Sequence, residues 1–367
     1  MENFSRPLPV YIKGSIFLMG LLSFFYAIYL AQEILLPLVF STLVAILLDQ
    51  VVNFFVKKRF NRTIAIFITL VAALILMTSL IVFIWTQFSN FSETLPLFKE
   101  KFNLVFKQFS GWITGTFNIS IENFNDLIIK KIEGMNDGVL IGNTVNTATH
   151  FFVTIILIPV YIFFILFYKF RILEFIKELF LVKLNLVVEI LSQIKVLIQQ
   201  YLIGLLIQLA LVSCLTSIGL FILGIQNPLL FGVVSGFLNM IPYLGVITAN
   251  IIIVTITFVT KSASSALYVF ILYGLVQFID NNFIVTKIVG RKVKMNALST
   301  IVTVIVGGQL CGVAGMFLSI PVMAAFKAVC DNVQSLKPLG YLLDDGEFDK
   351  EKINKSTEAE KLSDNDK

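Results

Sequence analysis

The chain has 367 residues, 57% of them hydrophobic and only 14% charged, with a mean hydropathy of +0.90 and a formal net charge of +5. A soluble domain carries about 25% charged residues, and the charges here are also bunched. None lies between Arg62 and Glu93, between Lys195 and Lys261, or between Lys294 and Lys327. A helix needs about 20 apolar residues to cross hydrocarbon, so each of these gaps holds one span or more. That excludes a soluble protein and defines an all-α polytopic membrane protein whose first partner is the lipid bilayer. The small basic excess sits in loops, the ordinary topogenic bias, and points to no nucleic-acid partner.

In chain order, Lys13 precedes a first apolar run, but no small-residue cleavage site follows before Glu33, so the run reads as a retained helix over Tyr11 to Leu30. A second span covers Ile34 to Leu48, and Lys57, Lys58, Arg59 and Arg62 then mark a cytoplasmic loop. The third span runs from Ile64 to Trp85 and closes an N-terminal unit, 1–85. Residues 86–146 hold five lysines and six acids among aromatics, with apolar residues at helical spacing. They read as an extracytoplasmic helical element, with a long irregular loop as the alternative.

A membrane core follows over 147–330. Its first helix, Val145 to Tyr168, carries the only histidine, His150, which reads as a packing or boundary residue. An amphipathic stretch over 170–200 suits an interfacial helix, and Tyr201 to Leu223 forms the next span. Residues 228–260 are apolar but broken by "NMIPYLG", and 295–326 are apolar but broken by "VGGQLCGVAG". Between them, 263–286 make an ordinary span. The basic loops at 57–62, 169–195 and 287–294 fall on one side whether the broken segments span twice or re-enter, which places both termini in the cytoplasm. The segment 331–367, rich in acids toward its end, cannot bury enough apolar surface to offset chain entropy and is expected to be a disordered cytoplasmic tail.

The chemistry concentrates near the end of the 263–286 span. Tyr273, Gln277, Asp280 and Asn281 share one helix face through i, i+3 and i+4 spacing. Asp280 precedes Lys287 by seven residues, about 10 Å at 1.5 Å per residue. A carboxylate at such depth costs about 2.5–3.5 kcal/mol on insertion scales. It needs a partner, a hydrated cavity, or a bound ion or proton; the alternative is an interfacial aspartate solvated from the cytoplasm. Breaks at membrane depth free backbone groups that lipid cannot satisfy, and in transporters such breaks form the substrate site. One break contains Asn239, Pro242 and Gly245; the other contains Gly307, Gly308, Gln309, Gly312 and Gly315. The alternative for Gly232–Gly236 and Gly308–Gly312 is small-residue helix packing without a substrate.

Catalysis finds little support. A single histidine argues against a conventional metal site, Asp49 sits at a helix end beside a basic loop rather than pairing with another acid, and no phosphate-binding loop or other cofactor motif occurs. The three cysteines suggest no disulfide framework.

Four stretches in this order, "YLIGLLIQ", "GFLNMIPYLG", "VQFIDNNFIVTKIVG" and "IVGGQLCGVAGMFLSIPVMAAFKAV", make residues 10–338 resemble the AI-2E family of bacterial inner-membrane permeases. The resemblance implies about eight membrane segments, one or two of them broken or re-entrant hairpins, and a homo-oligomer. It also implies transport: export of an autoinducer-2-like signal, or sodium/proton exchange. Carried onto this chain, it marks Ile241 to Gly245, then Gln277, Asp280 and Asn281, then Gly307 to Gly315. Thr286, Asn296-Ala297 and Val246 depart from its pattern. The expectation is a secondary transporter of a small polar solute or monovalent cation, in which Asp280 takes a proton or cation while Gln277, Asn281, Asn239 and Gln309 supply hydrogen bonds. A non-transporting membrane scaffold, with dry and tightly packed breaks, is the alternative from another class.

Overall fold

The computed structural model describes residues 9–92, 98, 100–104, 107–108, 110, 139–180, 183–242, 244–289 and 295–345. Ten α-helices run through them: α1 (Val10–Leu30), α2 (Gln32–Lys57), α3 (Arg62–Ser92), α4 (Val139–Leu179), α5 (Leu184–Ile222), α6 (Pro228–Asn239), α7 (Leu244–Thr260), α8 (Ala263–Ile279), α9 (Ala297–Asn332) and α10 (Lys337–Leu343). Among the described residues there is no strand, and seven helices are long and apolar enough to cross a membrane. Their outward faces carry exposed Phe, Leu and Ile, the inverse of a soluble protein, because hydrocarbon is the solvent.

Several boundaries differ from the sequence expectation. The stretch over 170–200 divides between two helices. Its first part is the end of α4 and its second the start of α5, which continues into the span without a break. The interior of the 86–146 element and the side chain of His150 lie outside the described residues. What is described there touches the core: Phe91 packs edge-on to Phe231, and Lys101 donates to the Thr260 carbonyl at 3.2 Å. Beyond residue 331 the chain is not unstructured at once, since α10 folds back beneath α9.

Both broken segments are helical hairpins. At 12 residues, α6 is about 18 Å long, far short of the ~30 Å hydrocarbon layer. The start of α6, at Leu230 and Phe231, shares a buried cluster with Ala249 and Ile253 of α7, as two antiparallel limbs require. In α9 the reversal is at Cys311 (φ −139°, ψ 20°) and Gly312 (φ 60°, ψ −150°), a left-handed position that only glycine holds at low cost. Gly307 and Gly315 then meet backbone to backbone: a Cβ on Gly315 would stand 2.1 Å from the Gly307 carbonyl oxygen. Eight residues apart on a straight helix they would be about 12 Å apart. The length of α9 therefore does not make it a single straight span.

Caps fix the joints. Asn227, with φ 53°, and Pro228 start α6 after Gly224, with φ 63°, ends α5. The Lys261 ammonium closes that end by donating to the carbonyls of Leu223 (2.6 Å) and Gly224 (3.2 Å). Asn296 accepts from the Ser299 N–H at 2.7 Å to start α9, and its amide donates to the carbonyls of Leu342 and Asp344. Lys327 bridges Asp331 and Asp344, so α10 is strapped to the foot of the second hairpin.

Candidate functional site

The site is built on α8, where Tyr273, Val276 and Asp280 point inward. At Asp280 the α-helix gives way to wider π-type turns over Asp280–Val289, a change often found at functional positions. The Asp280 side chain is 1% exposed. Its carboxylate accepts from Gln208 Nε2 at 3.1 and 2.9 Å and from Asn239 Nδ2 at 2.9 Å. No lysine, arginine or histidine among the described residues pairs with it. Neutral amides satisfy the lone pairs but not the charge, and an uncompensated charge in a dry interior is costly. Among the described residues the carboxylate thus has hydrogen-bond donors but no counter-charge.

Packing brings the donors in. Asn239 is the last residue of α6, and α6 lies against α5 through small residues. A Cβ on Gly232 would meet Ser217 Oγ at 1.9 Å, and one on Gly236 would meet Ser213 Oγ at 2.1 Å. The small-residue reading is thus correct for Gly232 and Gly236, and it serves to set Asn239 against Asp280. One turn earlier, Ser235 donates to the Phe231 carbonyl at 2.6 Å and accepts from the Tyr273 hydroxyl, locking α6 to α8. After Asn239 the backbone leaves the helix, and Gly245 turns so tightly that a Cβ there would fall 1.6 Å from the Leu238 carbonyl oxygen.

A cavity of about 460 Å³ opens beside the acid. At roughly 30 Å³ per water it has room for about 15 waters or one small solute. Tyr201, Gln208, Asn239, Gln277, Asp280 and Asn281 give it polar walls, while Pro242 of the first break and Thr300 and Ile320 of the second hairpin complete it. Gln277 donates to Asn281 Oδ1 at 3.1 Å across its exposed mouth. A larger concavity, about 830 Å³, lies at the α4–α5 corner around Lys177, Glu189 and Gln193. None of its lining residues is buried, so it lacks the buried uncompensated charge that marks the smaller one.

The structure therefore gathers Asp280, Gln277, Asn281 and Asn239, with Pro242 in the wall and Gly245 in the turn behind it. Gln309 is not brought to them: it is exposed near the turn of the second hairpin and lines no part of this cavity. Gly307 and Gly315 pack limb on limb, Gly308 packs on Met316, and Gly312 makes the reversal. Gln208 was not singled out from the sequence. Its signal was available, as an amide alone inside the apolar run "YLIGLLIQLALV".

Among the described residues the other buried acid is Asp49, 2% exposed, which lies within α2 rather than at a helix end as the sequence suggested. It accepts from Lys169 Nζ (2.8 Å to each oxygen), Lys195 Nζ (2.7 Å) and Asn53 Nδ2 (3.2 Å). Among the described residues no cluster of His, Cys, Asp and Glu could hold a metal.

Read with the matching family model, this geometry has a home. The AI-2E family transporter model matches residues 17–335, and the chain belongs to that family. It is 26% identical over 318 residues to YrrI of Bacillus subtilis (strain 168), named as a candidate transport protein, covering 81% of this chain and 86% of YrrI. It is 22% identical over 330 residues to YhhT of Escherichia coli (strain K12), similarly named, covering 87% and 90%. It is also 22% identical over 322 residues to the AI-2 transport protein TqsA of the same strain, covering 86% and 90%. Membership carries the general function of a secondary membrane transporter in a multi-pass inner-membrane protein, not of an enzyme.

Proposed function

We propose that the cavity beside Asp280 is the transport site, and that it takes a small polar solute of the autoinducer-2-like kind, coupled to a proton or sodium ion at Asp280. The observation that carries this reading is a carboxylate 1% exposed and, among the described residues, bonded only to neutral amides. Such a group gains most from a bound cation or proton. Gln277 and Asn281 at the mouth, with Gln208 and Asn239 at the base, offer amide donors and acceptors to a hydroxyl-rich solute. Two hairpins meet around the cavity, and tilting one against the helix bearing Asp280 would expose it to alternate sides. The bias of basic loops supports cytoplasmic termini, and the family supports a homo-oligomer.

Purified protein in liposomes, with imposed pH or sodium gradients, tests this reading. Solute flux that responds to either gradient supports coupled solute transport. Exchange of sodium for protons at full rate without any solute replaces it with an antiporter. No flux of solute or ion, with Asn239→Cys unreactive toward a small thiol reagent in every condition, would leave the scaffold reading.

A further inference from the structure

A second polar centre, away from the transport cavity, has the wrong charge balance for a purely structural cluster. Arg62, at the first turn of α3, donates to the Leu166 carbonyl of α4 at 3.0 Å, and its Nε meets no acceptor. Among the described residues no carboxylate pairs with it. Its guanidinium lies 4.3 Å from the centroid of the Phe170 ring, and Lys169 Nζ lies 5.9 Å from the same centroid. Both charges thus address one ring. Lys169 and Lys195 share the single acid Asp49, so three cations stand against one anion. Like charges so close in a half-buried setting repel, and an added anion relieves them.

The surroundings say which kind of anion fits. Every cation–ring contact among the described residues is at this end: Lys58 on Phe54, Arg62 and Lys169 on Phe170, and Arg171 on Tyr168. Phe163, Phe167 and Phe170 follow one another at i, i+4 and i+7, along one face of α4. Phe163 and Phe167 stack with centroids 5.8 Å apart, and Phe167 and Phe170 are exposed. A cationic corner continued by an exposed apolar face matches an amphiphile with a phosphate head and acyl chains. A free phosphate would leave that face unused. Basic sites between membrane helices bind anionic headgroups for the same reason.

We propose that Arg62, backed by Lys169 and Lys195, holds the phosphate of an anionic phospholipid whose acyl chains lie along the Phe163–Phe167–Phe170 face. The lipid ties the start of α3 to α4 and so braces the ends of α2 to α5. This is independent of what the transport cavity carries.

The full chain, purified and delipidated in neutral detergent, is melted with added phosphatidylglycerol or with phosphatidylcholine of the same acyl chains. Phosphatidylglycerol is expected to raise the melting temperature by several degrees and phosphatidylcholine not to. Arg62→Gln should require about fivefold more phosphatidylglycerol for the same rise, whereas Lys57→Gln, exposed at the same end, should respond like the wild type. Equal responses to the two lipids, or an Arg62→Gln response equal to the wild type, overturns the proposal. So does an equal rise with inorganic phosphate alone, which makes the ligand a soluble anion. Should Arg62→Gln fail to fold, native mass spectrometry of the wild type in an equimolar lipid mixture decides instead. Selective retention of phosphatidylglycerol supports the site, and retention without preference refutes it.

Discussion

Two aspartates are equally buried in this protein and are treated in opposite ways. Asp49 meets two lysines and an asparagine, so its charge is matched and its lone pairs are filled. Asp280 meets two amides and a cavity, so its lone pairs are filled, and no cation among the described residues matches its charge. Burial alone would rank them together, since they are 2% and 1% exposed. The counter-charge separates them: one joins α2, α4 and α5, and the other faces a space where a ligand can enter.

The comparison can be broken where its effects are largest. Asp49→Ala leaves Lys169 and Lys195 facing each other without an anion. It should cost about 3 kcal/mol, the lower end of the range because the lysine side chains are 25% and 40% exposed. The readout is the melting temperature in detergent, and any fall in flux should follow the loss of folded protein.

Gln208→Lys makes the Asp280 site resemble the Asp49 site by supplying a counter-charge. Flux should fall at least about tenfold, equivalent to about 1.4 kcal/mol, while the melting temperature holds or rises. Retained flux with a lowered melting temperature would show that the missing charge is not what matters. Asn296→Ala removes the amide ties from α9 to α10, leaving the Lys327–Asp344 bridge, and should cost about 1 kcal/mol in stability. Thr300, which donates to the Asn296 carbonyl and lines the cavity, gives that change a route to a modest loss of flux. Gln309→Ala, at a residue outside the cavity wall, should keep flux within about twofold, below the ~0.6 kcal/mol of an average membrane hydrogen bond.

The membrane class, the two broken segments and the acid at their centre were legible in the sequence because each rests on composition or local spacing. Uncharged runs reveal spans, Pro242 and Gly312 reveal backbone that cannot stay helical, and a lone carboxylate in an apolar run reveals cost. Which break supplies side chains to Asp280 was not legible. Asn239 and Gln309 are both amides in breaks, and only the lie of α6 on α5, through Gly232 and Gly236, puts one against the acid. Gln208 stands out locally as a lone amide in an apolar run, but its pairing with Asp280, 72 residues away in sequence, is one no local pattern encodes. The same holds for Asp49, whose lysines come from two other helices. The division of 170–200 between the end of α4 and the start of α5 was hidden too, since charges at helical spacing do not mark where one helix stops and the next begins.

The most direct test of the central claim is flux in liposomes carrying equal amounts of folded wild type and Asp280→Asn. The variant keeps the shape of the side chain and removes its charge. The account predicts that gradient-driven flux falls to the level of empty liposomes while the melting temperature is retained. Unchanged flux for every solute and ion measured would contradict it.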